Sequence, residues 1–341
     1  MAASPPSEGS SHSPPNTDVV ALPVTLDEGD WMQLRRQFAE EGFIQFNEPL
    51  VSDAAAVRDR LDRVDAGAYE TGVPPTKTVR AALHPTTTIG TDDGGRGASR
   101  RRERPHGPAT TGHMINVHRS DSLLRHLVTS PAIGELVARL TGWSSVRLAQ
   151  DQSWVKPPGA GPLTFHRDSP YLDFDPPGVV TVWLSLDDLS TSARAEQLGS
   201  LEYCVGSHLW DAPGARTGVA TQFYDADYRA LLVSAASRHN FTLSNLRICR
   251  VCVPAGGVAV HDGRTWHGSG PNASNSEWRR GIGIHYIPGH ARFRSDRPVA
   301  RIWQPFKDPE GGLHLPDDTK PLVWPAALPR KDTSRHAAPE P

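Results

Sequence analysis

The sequence predicts an α+β protein whose core is a jelly roll, a cupin-like double-stranded β-helix, with N-terminal helices packed on it. Two features carry that expectation. Up to about residue 142, apolar residues recur at helical spacing between capping residues and glycines. From Val146 to about Pro288 the chain breaks into short apolar or alternating runs separated by Gly, Pro, Asn and Asp. Many short strands after a helical start are the pattern of such a core.

Taken in order, residues 1–20 are rich in Ser, Pro and Gly with almost no apolar content. Ordering them would cost backbone entropy and bury nothing, so a disordered tail is expected. Trp31, Leu34 and Phe38 form one face of a helix, with Asp30 as its cap and Gly42 as its stop. Phe43 to Phe46 reads as a short strand, and Val57, Leu61 and Val64 make a second helical stripe closed by Gly67. Residues 84–112, with the run Arg100-Arg101-Arg102-Glu103-Arg104, read as a solvated loop in preference to a nucleic-acid or targeting segment, with a lid over the pocket as a further reading. Leu123, Leu124 and Leu127 mark a third helix. Ser130 and Pro131 open a fourth, which carries Ile133, Leu136, Val137 and Leu140 and stops at Gly142. Strands are expected at Val179–Leu186, Ser200–Val205, Ile248–Val253, Gly257–His261 and Gly281–Ile287. Past Arg301 recurrent prolines predict an irregular chain, and 311–341 is expected to be an irregular or disordered tail. The result is one domain over 21–310, helical over 26–142 and a jelly roll over 146–290.

A chain of 341 residues, 37% hydrophobic and 22% charged, can bury one sizeable core. Its 36 basic and 38 acidic residues give a net charge of −2, with no general attraction to nucleic acid or anionic membrane, so a small-molecule partner is expected. No apolar run approaches the length of a membrane span. The opening Met1-Ala2-Ala3-Ser4-Pro5-Pro6 lacks the basic and apolar parts of a signal peptide. A cytoplasmic protein, monomeric or homodimeric, is the expectation. Cys249-Arg250-Val251-Cys252 is a lone CxxC within an alternating run, where residues three apart face opposite sides of a strand. Buried strand cysteines explain it better than a zinc or redox site.

The chemistry concentrates in two stretches, Thr164-Phe165-His166-Arg167-Asp168-Ser169-Pro170-Tyr171 and Thr265-Trp266-His267-Gly268-Ser269-Gly270-Pro271-Asn272. In extended chain, side chains two apart point the same way, so His166 and Asp168 can present an imidazole and a carboxylate to one point. His267 can supply a second imidazole, with His261, in Val260-His261-Asp262-Gly263, as its local competitor. Two histidines and a carboxylate on one face of a metal, with open positions opposite, is the arrangement of non-haem Fe(II) oxygenases.

The ordered set Val155-Lys156-Pro157-Pro158-Gly159-Ala160, Phe165-His166-Arg167-Asp168, Val182-Trp183, Gly206-Ser207-His208, His267 to Asn272 and Arg279-Arg280 resembles the phytanoyl-CoA dioxygenase family, over about Trp31 to Pro288. That resemblance implies His166, Asp168 and His267 as iron ligands and catalytic residues. It implies Fe(II), 2-oxoglutarate and O2 as cofactor and cosubstrates, with ascorbate as an optional reductant. It implies oxidation of a C–H bond, typically hydroxylation, with release of succinate and CO2. By the same resemblance Arg279 would hold the distal carboxylate of 2-oxoglutarate, and Ser269, Trp183 and Asn116 would also contact it. Neighbours on a strand face opposite sides, so only one of Arg279 and Arg280 can enter the site, and counting back from His285-Tyr286 favours Arg279. Gln152 would face the substrate, whose other contacts would come from residues 70–118 and 209–245. Two other readings remain open: a non-catalytic jelly-roll binding protein, and a zinc-dependent cupin-like hydrolase or isomerase.

Overall fold

The computed structural model describes residues 26–82, 86–88, 103–105 and 109–325, apart from 173, 216, 221, 222 and 297. The expected N-terminal tail, the last dozen residues and Arg100–Arg102 lie outside the described residues.

Four helices precede the main strands: α1 (Glu28–Glu41), α2 (Ala54–Asp65), α3 (Ser122–Val128) and α4 (Pro131–Thr141). The cap of α1 corrects the expectation. Asp27 is the N-cap, and Asp30 sits three residues in, closing a reciprocal capping box at 2.9 and 3.0 Å. Gly42 ends the helix at φ 85°, where a side chain would be strained. In α4, Pro131 takes the first position as expected, but Ser130 makes no side-chain cap bond.

Between and after these helices run β1 (Phe43–Gln45), β2 (Lys77–Val79), β3 (Thr86–Thr88), β4 (Glu103–Pro105), β5 (Gly112–Ile115), β6 (Val146–Lys156), β7 (Leu163–His166), β8 (Phe174–Asp175), β9 (Val180–Ser185), β10 (Leu201–Cys204), β11 (Ile248–Arg250), β12 (Val258–Asp262), β13 (His267–Ser269), β14 (Arg279–Pro288), β15 (Arg292–Phe293) and β16 (Leu322–Trp324). The large sheet runs β1-β12-β9-β14-β6-β5-β2, with β16 also paired to β6; the smaller runs β11-β10-β13-β7. Every pairing in both is antiparallel. The two sheets face each other without closing into a barrel, so the observed fold is the jelly roll with helices packed on it.

Alternation along the strands assigns the two faces. Val180, Val182, Leu184, Val258, Val260, Ile282 and Ile284 pack against Trp31, Phe38, Val57 and Leu61 of the helices. Their neighbours Trp183 and Ala259 point the other way, onto Leu201, Tyr203 and Val251 of the smaller sheet. In β6 the parity changes midway: the register shifts between His285↔Gln150 and Tyr286↔Leu148, which makes Ala149 a β-bulge. Leu148 therefore faces the helices while Gln150, Gln152, Trp154 and Lys156 face inward. Among the described residues no helix is long and apolar enough to cross a membrane.

Two expectations need correction. The strand expected to run to Val253 stops at Arg250, because from there the backbone bonds singly to Leu201 and Leu189 instead of continuing a ladder. The segment read as an irregular tail returns to the large sheet: Leu322–Trp324 pairs with β6, and Lys320 is fully buried, donating to Ala149 O at 2.6 Å over the Trp303 ring. Three residues are too few to show strand periodicity in sequence.

Candidate active site

His166 ends β7, Asp168 follows it, and His267 begins β13, the strand beside β7; the register places His267 directly opposite His166. Gly268 makes this approach possible, since a Cβ there would lie 2.6 Å from the Phe165 ring and 2.9 Å from Leu163 O. The ligand-capable atoms of His166, Asp168 and His267 all lie within 4.8 Å of one another, the one such group of three among the described residues.

The surrounding hydrogen bonds orient this set. His166 Nδ1 donates to Thr164 O at 2.8 Å and His267 Nδ1 to Thr265 O at 2.9 Å, which leaves both Nε2 lone pairs free. Those nitrogens lie 3.8 and 3.5 Å from Asp168 Oδ1. The other oxygen, Oδ2, is already held: Thr181 donates to it at 2.6 Å, His261 Nε2 at 3.0 Å, and His285 Nε2 lies within 3.5 Å. Tyr203 in turn donates to His261 Nδ1 at 2.9 Å. His261 thus has both nitrogens engaged and supports the carboxylate, whereas His267 keeps its Nε2 turned toward Asp168 Oδ1.

Electrostatics agree with this division. Burial, reinforced by the facing ring, pushes His166 down to about 4, against the pull of Asp168. Burial takes His267 to about 4 likewise. Burial alone would raise Asp168, but the imidazoles of His267 and His285 and the hydrogen bonds of His261 and His285 hold it well below the carboxylate range. At neutral pH the centre offers two neutral imidazoles and one carboxylate, the donor set that suits Fe(II).

Two chambers meet here. The inner one, about 50 Å³, is walled by Trp183, Ser269, Arg279 and Gly283. The outer one, about 350 Å³, opens beyond His166 and Asp168 and shares Gln152, Trp154 and His285 with the inner one. Arg279 enters the inner chamber, 2% exposed; its Nε and Nη2 donate to Gly199 O at 3.2 and 2.9 Å, and Nη2 to Ser269 Oγ at 3.2 Å. Trp183 lies under its guanidinium at 5.9 Å. No carboxylate of the described residues lies in ion-pair contact with it, and burial lowers it to about 10. Arg280 points outward to Asp62 and Asp187.

Asn116 is not brought in. It holds a left-handed φ of 59° and its amide donates to Thr76 Oγ1 at 2.9 Å, so β5 lines the outer chamber with His113 and Ile115 instead. Sequence reasoning also missed His285 and Lys156. His285 shares the inward parity of Arg279 on β14, a signal available in Arg279-Arg280-Gly281-Ile282-Gly283-Ile284-His285. Lys156, fully buried, stands opposite Arg279 and donates to Ser269 Oγ at 2.8 Å and to Gly270 O. Burial and then Arg279 lower its pKa well below the usual lysine value.

Comparison with known proteins agrees with this arrangement. A curated relative described as a probable alpha-ketoglutarate-dependent hypophosphite dioxygenase, from Stutzerimonas stutzeri, is 28% identical over 179 residues, 52% of this chain and 57% of the relative. The match thus spans little more than half of that relative. The solved structure of SnoK, a non-heme alpha ketoglutarate dependent carbocyclase from nogalamycin biosynthesis, superposes with a TM-score of 0.59 at 21% identity, over 88% of this chain and 97% of SnoK. The epimerase SnoN, solved with Fe3+, alpha ketoglutarate and nogalamycin RO, gives 0.59 at 20% identity over 87% of this chain and 100% of SnoN. These two similarities speak for the fold. The profile of the phytanoyl-CoA dioxygenase (PhyH) family matches residues 40–281, which contain the three candidate ligands, Gln152 and Trp154 of the chambers' shared wall, and Arg279, and the chain belongs to that family.

Proposed function

We propose that this protein is an Fe(II)- and 2-oxoglutarate-dependent dioxygenase that oxidises a C–H bond of a small molecule, releasing succinate and CO2. The observation that carries the reading is the junction of the two chambers: three convergent donors of the right chemistry lie at one end of an inner cavity that holds a buried arginine which no carboxylate of the described residues contacts. A buried guanidinium in that state fits an anionic group of a cosubstrate, which it would grip bidentately.

His166, Asp168 and His267 hold the metal on this account, and Fe(II) supplies the activation of dioxygen. Thr181 and His261 fix Asp168 so that only Oδ1 turns to the metal. Arg279 receives the distal carboxylate of 2-oxoglutarate with Ser269 beside it, and Trp183 walls that end against water. Lys156 orients the Ser269 hydroxyl from below. Gln152, in the wall common to both chambers, faces the substrate. Arg279 and Lys156 have no task in a zinc hydrolase, and the complete donor set speaks against a non-catalytic binder. On the same proposal the protein is cytoplasmic, a monomer or homodimer, acting on a small molecule.

Protein supplied with Fe(II), 2-oxoglutarate and ascorbate in air is expected to release succinate even without its substrate, slowly. Asp168→Ala should abolish that release while leaving the circular dichroism unchanged. Normal turnover by the variant would remove Asp168 from the metal set.

A further inference from the structure

We propose, resting on the reading above, that the substrate is a ring-bearing molecule that presents a hydroxyl donor to Gln150 Oε1, beside His285, in the outer chamber. Among the described residues, three buried polar atoms of residues lining that chamber have no partner: His113 Nε2, Gln150 Oε1 and His285 Nδ1. Gln150 and His285 are 2% and 4% exposed and are cross-strand neighbours beside the bulge at Ala149. Buried polar groups in folded proteins are nearly always paired, so such orphans on one wall mark where a ligand's polar group belongs.

The sign of that group follows from Gln150. Its Oε1 only accepts, so it calls for a donor, and a hydroxyl fits where an ether or ketone oxygen would leave it unpaired.

The remaining walls set the body of the molecule. Trp154 stacks on His113 at 3.9 Å and 12°, with Phe223 at 6.1 Å from Trp154 and 5.8 Å from Tyr171. Phe293 and Trp303 close the far side. A cavity of about 350 Å³ so lined takes a compact molecule of one to three rings. It is far larger and more apolar than a small inorganic anion needs. Among the described residues, the charged ones on its walls besides Asp168 are Lys77 and Arg294, the latter forked onto Asp296, which is too little for a nucleotide-bearing thioester.

Two probes share the ring system, 2-naphthol with a hydroxyl donor and 2-methoxynaphthalene with the hydroxyl hydrogen replaced by methyl. Anaerobic protein loaded with Fe(II) and 2-oxoglutarate is dialysed to equilibrium against each. The naphthol is expected to bind at least about tenfold more tightly, the scale of one hydrogen bond to a buried acceptor. Gln150→Leu should remove most of that preference, whereas Phe223→Ala should weaken both probes alike. A smaller preference in the wild type, a preference unchanged in Gln150→Leu, or no binding of 2-naphthol overturns the inference. The visible band of the iron–2-oxoglutarate complex, read in the same samples, keeps the two claims apart. A band without hydroxyl preference refutes the substrate class alone, and a hydroxyl preference without the band refutes the dioxygenase reading alone.

Discussion

Replacing Arg279 with lysine is expected to weaken 2-oxoglutarate binding by about 2–3 kcal/mol, the loss of one or two charge-assisted hydrogen bonds in a buried site. The structure sets both the size and the specificity of that effect. Arg279 is held by Gly199 O through Nε and Nη2, so its remaining edge meets the ligand at a fixed angle. Lysine keeps the charge but loses the fork and the anchorage to Gly199, and its ammonium would sit close to the buried Lys156. A loss of that size is about 30- to 150-fold in dissociation constant. Arg280→Lys is the control, since Arg280 turns away to Asp62 and Asp187 and should leave the constant within about twofold, as for other partly exposed ion pairs. Anaerobic calorimetric titration of 2-oxoglutarate into the Mn(II)-loaded variants reads both. Equal effects, or a larger one at Arg280, would refute the assignment of Arg279 to the cosubstrate.

Two further outcomes follow from the same geometry. Gly281→Ala places a Cβ 2.9 Å from the Trp183 ring, so about 1–3 kcal/mol of stability should be lost and the melting temperature should fall by several degrees. Gly283→Ala, with nearest contacts of 3.6 and 3.7 Å, should melt like the wild type; equal melting of both variants would contradict the packing described. In metal-free protein His166 and His267 titrate at about 4, below the usual 6.5 of the unfolded chain. The unfolded state then binds more protons between those values, so stability is full above about 6.5 and falls as pH drops toward 4. Asp168, with its depressed pKa, contributes stability that is lost only below the usual carboxylate range and does not mask this window. Denaturant midpoints at pH 7.5 and 5 test it, and an unchanged midpoint would count against buried neutral imidazoles.

The helical half was legible because its signals are local: Gly42, Pro131 and Gly142 punctuate stripes that need no tertiary information. The donors were legible for a related reason, since His166 and Asp168 are two apart in extended chain and Arg279 is fixed by parity within β14. Where tertiary register decides, sequence reasoning failed. The bulge at Ala149 reverses the faces of β6, so nothing local says that Gln150 and Leu148, two apart, face opposite sides. Asn116 looked usable until its left-handed backbone turned it to Thr76. The outer chamber gathers β6, the stretch around Phe223 and the segment from Phe293 to Trp303, which are remote in sequence and share no motif.

The most direct test of the account is the visible spectrum of anaerobic protein given Fe(II) and then 2-oxoglutarate. A weak charge-transfer band should appear only when both are present, should vanish in His267→Ala, and should persist in His261→Ala, since His261 supports Asp168 from the side away from the two Nε2 donors. Absence of the band in well-folded protein that retains Zn(II) through purification, or its survival in His267→Ala, would contradict the account.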